Sequence, residues 1–225
     1  MKPHSTNPVR PSEERPSSQA ASRRARGGAW RRPGPRTLLL RPRPLRPIPT
    51  TALGWTRGDR VGLVGALWRQ LHGTPPPALD LGRDAGGRPL LLGPDAAGHA
   101  LSFSHGSGGL WGALCRGPGL GIDLAGERDF PPDYPWGSAF APGELAGLAL
   151  FEASRGGQAA LAWSLKEAAV KALGHGFGVV DPRHVDLREL GRSGPWLVAR
   201  CGLAGVSMLL GRRLGRQWLS LAWRE

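Results

Sequence analysis

Residues 158–173 carry the strongest secondary-structure signal in the chain, because apolar side chains recur there at helical spacing. Gly156 and Gly157 interrupt the chain before this segment, and Gly174 follows it in the place of a helix cap. A second helix is predicted for residues 60–71. A third is predicted for residues 142–154, which begin with a proline in the first turn, where proline is tolerated.

Short strands separated by glycine-rich turns are predicted for much of the remaining sequence. They fall at residues 90–92, 100–104, 110–114, 120–124, 185–187, 196–199, 206–210 and 218–223. The strands at 110–114 and 120–124 are predicted to pair through the turn at 117–119. A helix followed by strands thus occurs twice, which indicates two similar halves that meet near residue 120.

The formal net charge of +13 is concentrated in residues 1–50. That segment contains 12 basic residues, 2 acidic residues and 10 of the 22 prolines, whereas residues 51–225 contain 18 basic and 15 acidic residues. Because the segment lacks an apolar period, it is predicted to be a disordered extension, and folded structure is predicted to begin near Thr50. A start codon placed too early is one alternative, and an arginine-rich arm that contacts nucleic acid or an acidic partner is another.

Several classes of protein are disfavoured by the sequence. No stretch reaches the roughly 18 apolar residues of a membrane span, and no secretory signal is visible. Cys115 and Cys201 show no metal-ligand spacing, which fits two inert thiols in a reducing, cytoplasmic location. The absence of G-x-x-x-x-G-K-[ST] and G-x-S-x-G motifs argues against P-loop nucleotide chemistry and against a Ser–His nucleophile.

Lysine is almost absent, since only three of the 30 basic residues are lysine. Lys2 lies in the N-terminal extension, whereas Lys166 and Lys171 both lie in the predicted helix at 158–173. A lysine retained in an arginine-rich chain indicates a need for a compact charge, as in a tight phosphate pocket. Glu167 and Lys171 form an i, i+4 pair on one helical face, although such pairs are more often solvated surface ion pairs. Lys166 lies about 100° away from that face.

Two further segments carry groups that suit a metal or an anion. Asp123 follows an apolar strand, and with Glu167 it offers the one or two carboxylates that Mg²⁺ typically takes from a protein. Ser104 and His105 end another strand and precede glycines with free backbone N–H groups, which suits an anion. The alternatives are that Asp123 caps a turn or a helix and that Ser104 caps a turn.

Together these motifs resemble the 4′-phosphopantetheinyl transferases, in particular the longer, monomeric Sfp-type branch. That family carries G-[IV]-D and, further along, [FW]-S-x-K-E-[AS]-x-x-K, and this chain has G-I-D at 121–123 and W-S-L-K-E-A-A-V-K at 163–171. The upstream G-K-P and S-H motifs of the family correspond to G-R-P at 87–89 and S-H at 104–105. The resemblance covers residues 55 to 225.

The resemblance implies an α+β fold of two similar, pseudo-symmetric subdomains at 51–120 and 121–225, each with helices on a small antiparallel sheet. It implies a monomeric, Mg²⁺-dependent transferase that moves the 4′-phosphopantetheine arm of coenzyme A to a serine of an apo acyl or peptidyl carrier protein. Adenosine 3′,5′-bisphosphate is the other product. Carrier proteins are typically acidic, which the mildly basic body of this chain suits.

The resemblance also implies roles for individual residues. Asp123 and Glu167 would ligate Mg²⁺ on the pyrophosphate, and Lys171 would neutralise charge near the bond that breaks. Glu167 or a metal-bound water would accept the proton of the serine. The catalytic residues implied are Asp123, Glu167 and Lys171, and the coenzyme A-binding residues implied are Arg88, Ser104, His105, Lys166, Lys171 and Arg60.

Three positions depart from the family pattern. Many members carry an acid where this chain has Ala125, and Glu127 or a water would have to fill that coordination position. Arg88 replaces the usual lysine, and Ser102 replaces a frequent asparagine. The alternatives are therefore an inactive protein of this fold and a nucleic-acid-binding protein that acts through residues 1–50.

Overall fold

The computed structural model describes residues 34–40 and 48–225, and its α+β architecture confirms the predicted fold class. The strands and helices are β1 (Arg36–Leu40), β2 (Thr51–Thr56), α1 (Arg60–His72), β3 (Asp80–Arg83), β4 (Pro89–Leu92), β5 (His99–Gly106), β6 (Gly109–Arg116), β7 (Leu120–Gly126), α2 (Trp136–Ala139), α3 (Arg155–Ala172), β8 (Leu187–Ser193), β9 (Trp196–Cys201), β10 (Val206–Leu214) and β11 (Gln217–Arg224). Short 3₁₀ helices lie at Glu127–Asp129, Glu144–Leu148 and Pro182–His184.

Two antiparallel sheets form the body of the protein. The strand order is β1-β2-β6-β5 in the first sheet and β7-β11-β10-β9-β8 in the second, while β3 and β4 form a separate hairpin. Helix α1 packs on β2 and β6, and helix α3 packs on β7, β11 and β10. One long helix therefore covers a face of each sheet, as is expected when both elements must bury an apolar surface.

Local sequence signals define both ends of α1, whose predicted position is confirmed. Asp59 accepts a hydrogen bond of 2.6 Å from the N–H of Gly62, which satisfies one of the free donors at the helix start. Gly73 ends the helix in the left-handed conformation, with φ of 73°, which glycine adopts without strain. The buried face, formed by Leu63, Val64, Leu67 and Trp68, rests on the first sheet.

The two sheets meet where β5 runs beside the open edge of β7. The hydroxyl of Ser102 accepts a hydrogen bond of 3.1 Å from the N–H of Ile122, and that of Ser104 accepts one of 3.1 Å from the N–H of Leu124. Every residue of β7 is buried, so these donors would cost free energy if they were left unpaired. The serine hydroxyls of the first sheet therefore fix β7 in place.

Strand β7 and helix α3 approach each other so closely that one strand residue must be glycine. A Cβ atom at Gly121 would overlap the carbonyl oxygen of Ala168 and the backbone nitrogen of Ala172. The helix backbone therefore rests directly on the strand backbone at that point. Asp123 is two residues further along the same face of β7, which places it beside the last turns of α3.

Strand β1 contradicts the predicted start of the fold near Thr50. Arg36–Leu40 pairs antiparallel with β2, and Leu40 is buried in the core. The run of leucines at 38–40 gave too weak a signal because arginine and proline dominate the composition around it. The rest of the predicted disordered extension, apart from residues 34–35 and 48–50, lies outside the described residues.

Two other predicted features are wrong. Strands β6 and β7 do not pair, because the turn at 117–119 carries the chain from the first sheet to the second. The predicted helix at 142–154 is replaced by the 3₁₀ helix Glu144–Leu148, since Gly143 before it has a left-handed φ of 79° that an α-helix does not accommodate. In the part of the chain that the structure describes, no helix is long and apolar enough to cross a membrane.

Candidate functional site

Asp123, Glu167 and Lys171 form one charged cluster between β7 and α3. The Nζ atom of Lys171 lies 2.6 Å from Oδ1 of Asp123 and 3.8 Å from Oε2 of Glu167. It also donates to the carbonyl oxygen of Ile122 at 3.3 Å. Ser104 donates its hydroxyl hydrogen to the same Asp123 oxygen at 3.0 Å. Two carboxylates thus share one ammonium group, so the ionised cluster carries a net negative charge.

Burial raises the pKa of both carboxyl groups above their ordinary values. For Asp123, the effect of burial exceeds the opposing effects of the Lys171 charge and of the hydrogen bonds from Lys171 and Ser104. For Glu167, Lys171 opposes burial, while the charge of Asp123 raises the pKa further. An additional cation close to the two carboxylates would therefore stabilise their ionised forms.

A cleft of about 310 Å³ opens beside this cluster. Its charged and titratable lining consists of Arg60, Arg83, Arg88, His105, Lys171 and His175. These residues come from both halves of the chain, and four of them are arginine or lysine. A concave surface with several cations attracts anionic ligands, so this cleft suits an anionic ligand.

The G-R-P loop at 87–89 lies against the C-terminal end of α3. Arg88 pairs with Asp84 at 3.0 Å, and its guanidinium also borders Gly174, which has φ of 83°. Arg83 donates to the carbonyl oxygen of Gly87 at 2.7 Å, which braces the same loop. The hairpin of β3 and β4 therefore presents Arg88 at the helix end that carries Lys171.

Arg83, Phe103 and His175 also line the cleft, although they were not among the predicted site residues. The guanidinium of Arg60 lies 4.9 Å from the ring centroid of Phe103, a cation–π contact on the cleft wall. The role of Arg83 follows from the folded hairpin of β3 and β4, in which it lies opposite Pro89. Phe103 lies in the predicted anion-binding segment beside Ser104, and His175 lies between two glycines just after the predicted helix, but neither was assigned a role.

The structure brings most of the implied coenzyme A-binding residues together. Arg60, Arg88, His105 and Lys171 line the cleft. Ser104 is adjacent to it but directs its buried hydroxyl to Asp123. Ser104 is therefore a contact of the acid cluster, whereas its neighbour Ser102 is part of the cleft lining.

Lys166 lies elsewhere, fully buried on another side of α3. Its Nζ atom donates to Oε2 of Glu144 at 2.7 Å and to the carbonyl oxygens of Ala139 and Pro182 at 3.3 and 2.8 Å. Burial lowers the pKa of Lys166, and Glu144 opposes this effect. The helix at 158–173 exists as predicted, but it is buried on most sides rather than on one apolar face.

Glu127 and Ala125 do not add a third acid to the cluster. Strand β7 ends before Glu127, which lies beside Gly156 in the first turn of α3 and 3.5 Å from Arg216. Glu167 is about 17 Å further along that helix at 1.5 Å per residue. Ala125 is buried in the apolar core. Among the described residues, no three metal-ligating side chains come together.

The three residues of the cluster lie within one continuous stretch of the chain. Residues 119–222 match the family model of the 4′-phosphopantetheinyl transferase superfamily. The match runs from β7 into β11 and includes Asp123, Glu167 and Lys171, and it indicates a transferase of this general kind. Among curated proteins, none matches the chain.

The acid cluster fits a magnesium ion, which this superfamily generally uses together with coenzyme A. Asp123 and Glu167 offer hard carboxylate oxygens, and Mg²⁺ typically takes one or two of these and completes its shell with phosphate and water. The net negative charge and the raised pKa of both acids also favour a bound dication, because a dication would stabilise the two ionised carboxylates. Asp123 and Glu167 are therefore the residues that would hold it.

Proposed function

We propose that this chain is an Sfp-type 4′-phosphopantetheinyl transferase that uses coenzyme A and Mg²⁺ to modify a serine of an apo carrier protein. The observation that carries the proposal is the cluster of Asp123, Glu167 and Lys171 beside a cation-lined cleft. The Sfp-type assignment is supported by helix α1 on the first sheet, which precedes the matched region and repeats its helix-on-sheet arrangement.

The cleft would hold the nucleotide part of coenzyme A. Arg60, Arg83 and Arg88 offer guanidinium groups, which bind phosphate oxygens through paired hydrogen bonds. A volume of about 310 Å³ is at the lower end for a small-molecule site, so the phosphopantetheine arm would extend out of it. Glu167 lies one helical turn before Lys171 and 3.8 Å from its Nζ atom, outside the cleft lining, and a carrier serine would approach there.

The chemistry requires charge neutralisation and one proton transfer. Lys171 would donate to the pyrophosphate, and bound Mg²⁺ would neutralise charge on both of its phosphates. Glu167 would accept the proton of the serine hydroxyl, directly or through a water. The serine oxygen bonds to the phosphorus that carries the pantetheine arm, and the bridging oxygen leaves with adenosine 3′,5′-bisphosphate.

The direct test is transfer to a carrier protein. The full chain is incubated with coenzyme A, Mg²⁺ and apo carrier proteins of the fatty-acid, polyketide and nonribosomal-peptide types, and intact mass spectrometry detects the added arm. We expect transfer to at least one carrier, and loss of transfer when a chelator removes Mg²⁺. Failure with every carrier would contradict the proposed function.

Two N-terminal truncations separate this function from nucleic-acid binding through the basic segment. Removal of residues 1–33 is expected to leave the transfer rate unchanged, because the cluster and the cleft lie between Arg60 and Gly176. Removal of residues 1–47 is expected to destabilise the fold, because it deletes β1 and the buried Leu40. A nucleic-acid-binding protein would instead lose most of its salt-dependent DNA affinity with the shorter deletion, which a binding assay at two salt concentrations measures.

A further inference from the structure

His72 and His99 form a second cluster of functional groups, outside the cleft and the acid cluster. His72 is the last residue of α1 and His99 is the first residue of β5. Their Nε2 atoms lie 3.0 Å apart. Both rings pack on Trp68, with ring centroids 4.2 and 4.9 Å from that of the tryptophan. The indole thus holds the two imidazoles in place with their Nε2 atoms facing each other.

A backbone contact orients the ring of His99. Nδ1 of His99 lies 3.3 Å from the carbonyl oxygen of Ala96. A hydrogen on that nitrogen would be donated to the carbonyl, which leaves the Nε2 lone pair of His99 directed at His72. This second hydrogen bond is the usual arrangement of a metal-ligating histidine.

We propose that His72 and His99 bind a divalent transition-metal ion of the Zn²⁺ class through their Nε2 atoms. Zinc lies about 2.0–2.1 Å from a histidine nitrogen, so two tetrahedral nitrogen ligands of one ion are about 3.3 Å apart. The hydrogen-bonded separation of 3.0 Å is close to this spacing, and a small rotation of the two rings would point both Nε2 lone pairs at the ion. His72 would accept the metal with its ring hydrogen on Nδ1 rather than on Nε2.

Space and charge around the pair permit the remaining ligands. The two rings line a cleft of about 790 Å³ that Asp95 also lines, so water molecules complete the coordination shell. Arg116, which lies opposite His99 in the pairing of β5 with β6, lines the same cleft and would repel a cation. Its side chain is exposed to solvent, which weakens that repulsion. His105 is six residues further along β5, about 20 Å away, so this site is separate from the proposed coenzyme A cleft.

A Zn²⁺ titration of the full chain, followed by the histidine ring signals in NMR, tests the proposal. His72→Gln and His99→Gln assign the two signals, and His184→Gln is the matched control. At one equivalent of Zn²⁺ we expect the His72 and His99 signals to shift together. Each glutamine variant at these two positions should weaken binding by at least about tenfold, a loss already typical of second-shell changes, whereas His184→Gln should not.

Two outcomes would overturn the proposal. One is that the His72 and His99 signals of the unmodified chain stay unchanged at one equivalent of Zn²⁺. The other is that Zn²⁺ affinity is the same in both glutamine variants as in His184→Gln. Neither readout involves phosphopantetheine transfer, so this result is independent of the proposed function.

Discussion

Glu167→Gln is expected to lower the rate of phosphopantetheine transfer by about 10³-fold, toward the upper end of the loss from removing one transition-state stabilising group. The variant removes one of the two carboxylates that would hold Mg²⁺ and the group that would accept the serine proton. Asp123→Asn removes the other carboxylate and should have an effect of similar size. Initial rates with a saturating apo carrier and coenzyme A measure both.

The stability of Glu167→Gln provides an internal control for folding. Because the folded-state pKa of Glu167 is raised by burial, the ionised side chain destabilises the folded protein as pH rises through that pKa. The glutamine variant is therefore expected to be more stable than the unmodified chain at pH 7. The difference should disappear below about pH 4, where the glutamate is protonated in both states. Thermal unfolding at the two pH values measures this.

Glu189→Gln is the matched surface variant. Its side chain is 68% exposed on β8 and forms an ion pair with Arg200. The free energy of unfolding should therefore change by no more than about 0.5 kcal/mol, and the transfer rate should stay the same. Transfer that survives in both Glu167→Gln and Asp123→Asn would refute the assignment of the acid cluster to catalysis, even if the chain proved to be a transferase.

Lys166→Ala is expected to reduce the free energy of unfolding by about 3–5 kcal/mol, the usual cost of removing one partner of a buried ion pair. Glu144 would be left in a mostly buried place, and its Oε1 atom already has no hydrogen-bond partner among the described residues. The carbonyl oxygens of Ala139 and Pro182 would also lose their donor. Urea unfolding followed by tryptophan fluorescence measures the change.

A double variant separates the lost ion pair from a general packing defect. Lys166→Met with Glu144→Gln removes both charges and keeps most of the volume, and such replacements are often close to neutral. It should recover most of the stability lost in Lys166→Ala. If Lys166→Ala instead kept its stability and raised the KM for coenzyme A, the lysine would be a ligand of coenzyme A, as the family resemblance implies.

The acid cluster was largely predictable because regular elements determine it. The i, i+4 spacing places Glu167 next to Lys171 on any helix, and the strand period places Asp123 on the same face as Gly121. The position of Lys166 was not predictable in this way. Helical periodicity gives the direction of its side chain, but the segments that bury it, around Ala139 and Pro182, have no periodic pattern of their own.

The lining of the cleft was harder to predict from the sequence than the acid cluster, because tertiary packing determines it. Arg83 and His175 lie near turns whose positions are fixed only when the β3–β4 hairpin meets the end of α3. Strand β1 was missed for a different reason, since three leucines stand among arginines and prolines. The surrounding composition led to a prediction of disorder, although this short apolar run forms a strand in the folded sheet.

Because β5 and β7 lie side by side, the candidate site contains residues from two different parts of the chain. The acids and Lys171 come from residues 119–222, which match the family model, whereas Arg60, Arg83, Arg88 and His105 come from residues before that match. Under the proposed function, substitutions in the first half of the protein would change ligand selectivity and leave the proposed catalytic groups in place. A comparison limited to residues 119–222 would therefore miss the residues that select the ligand.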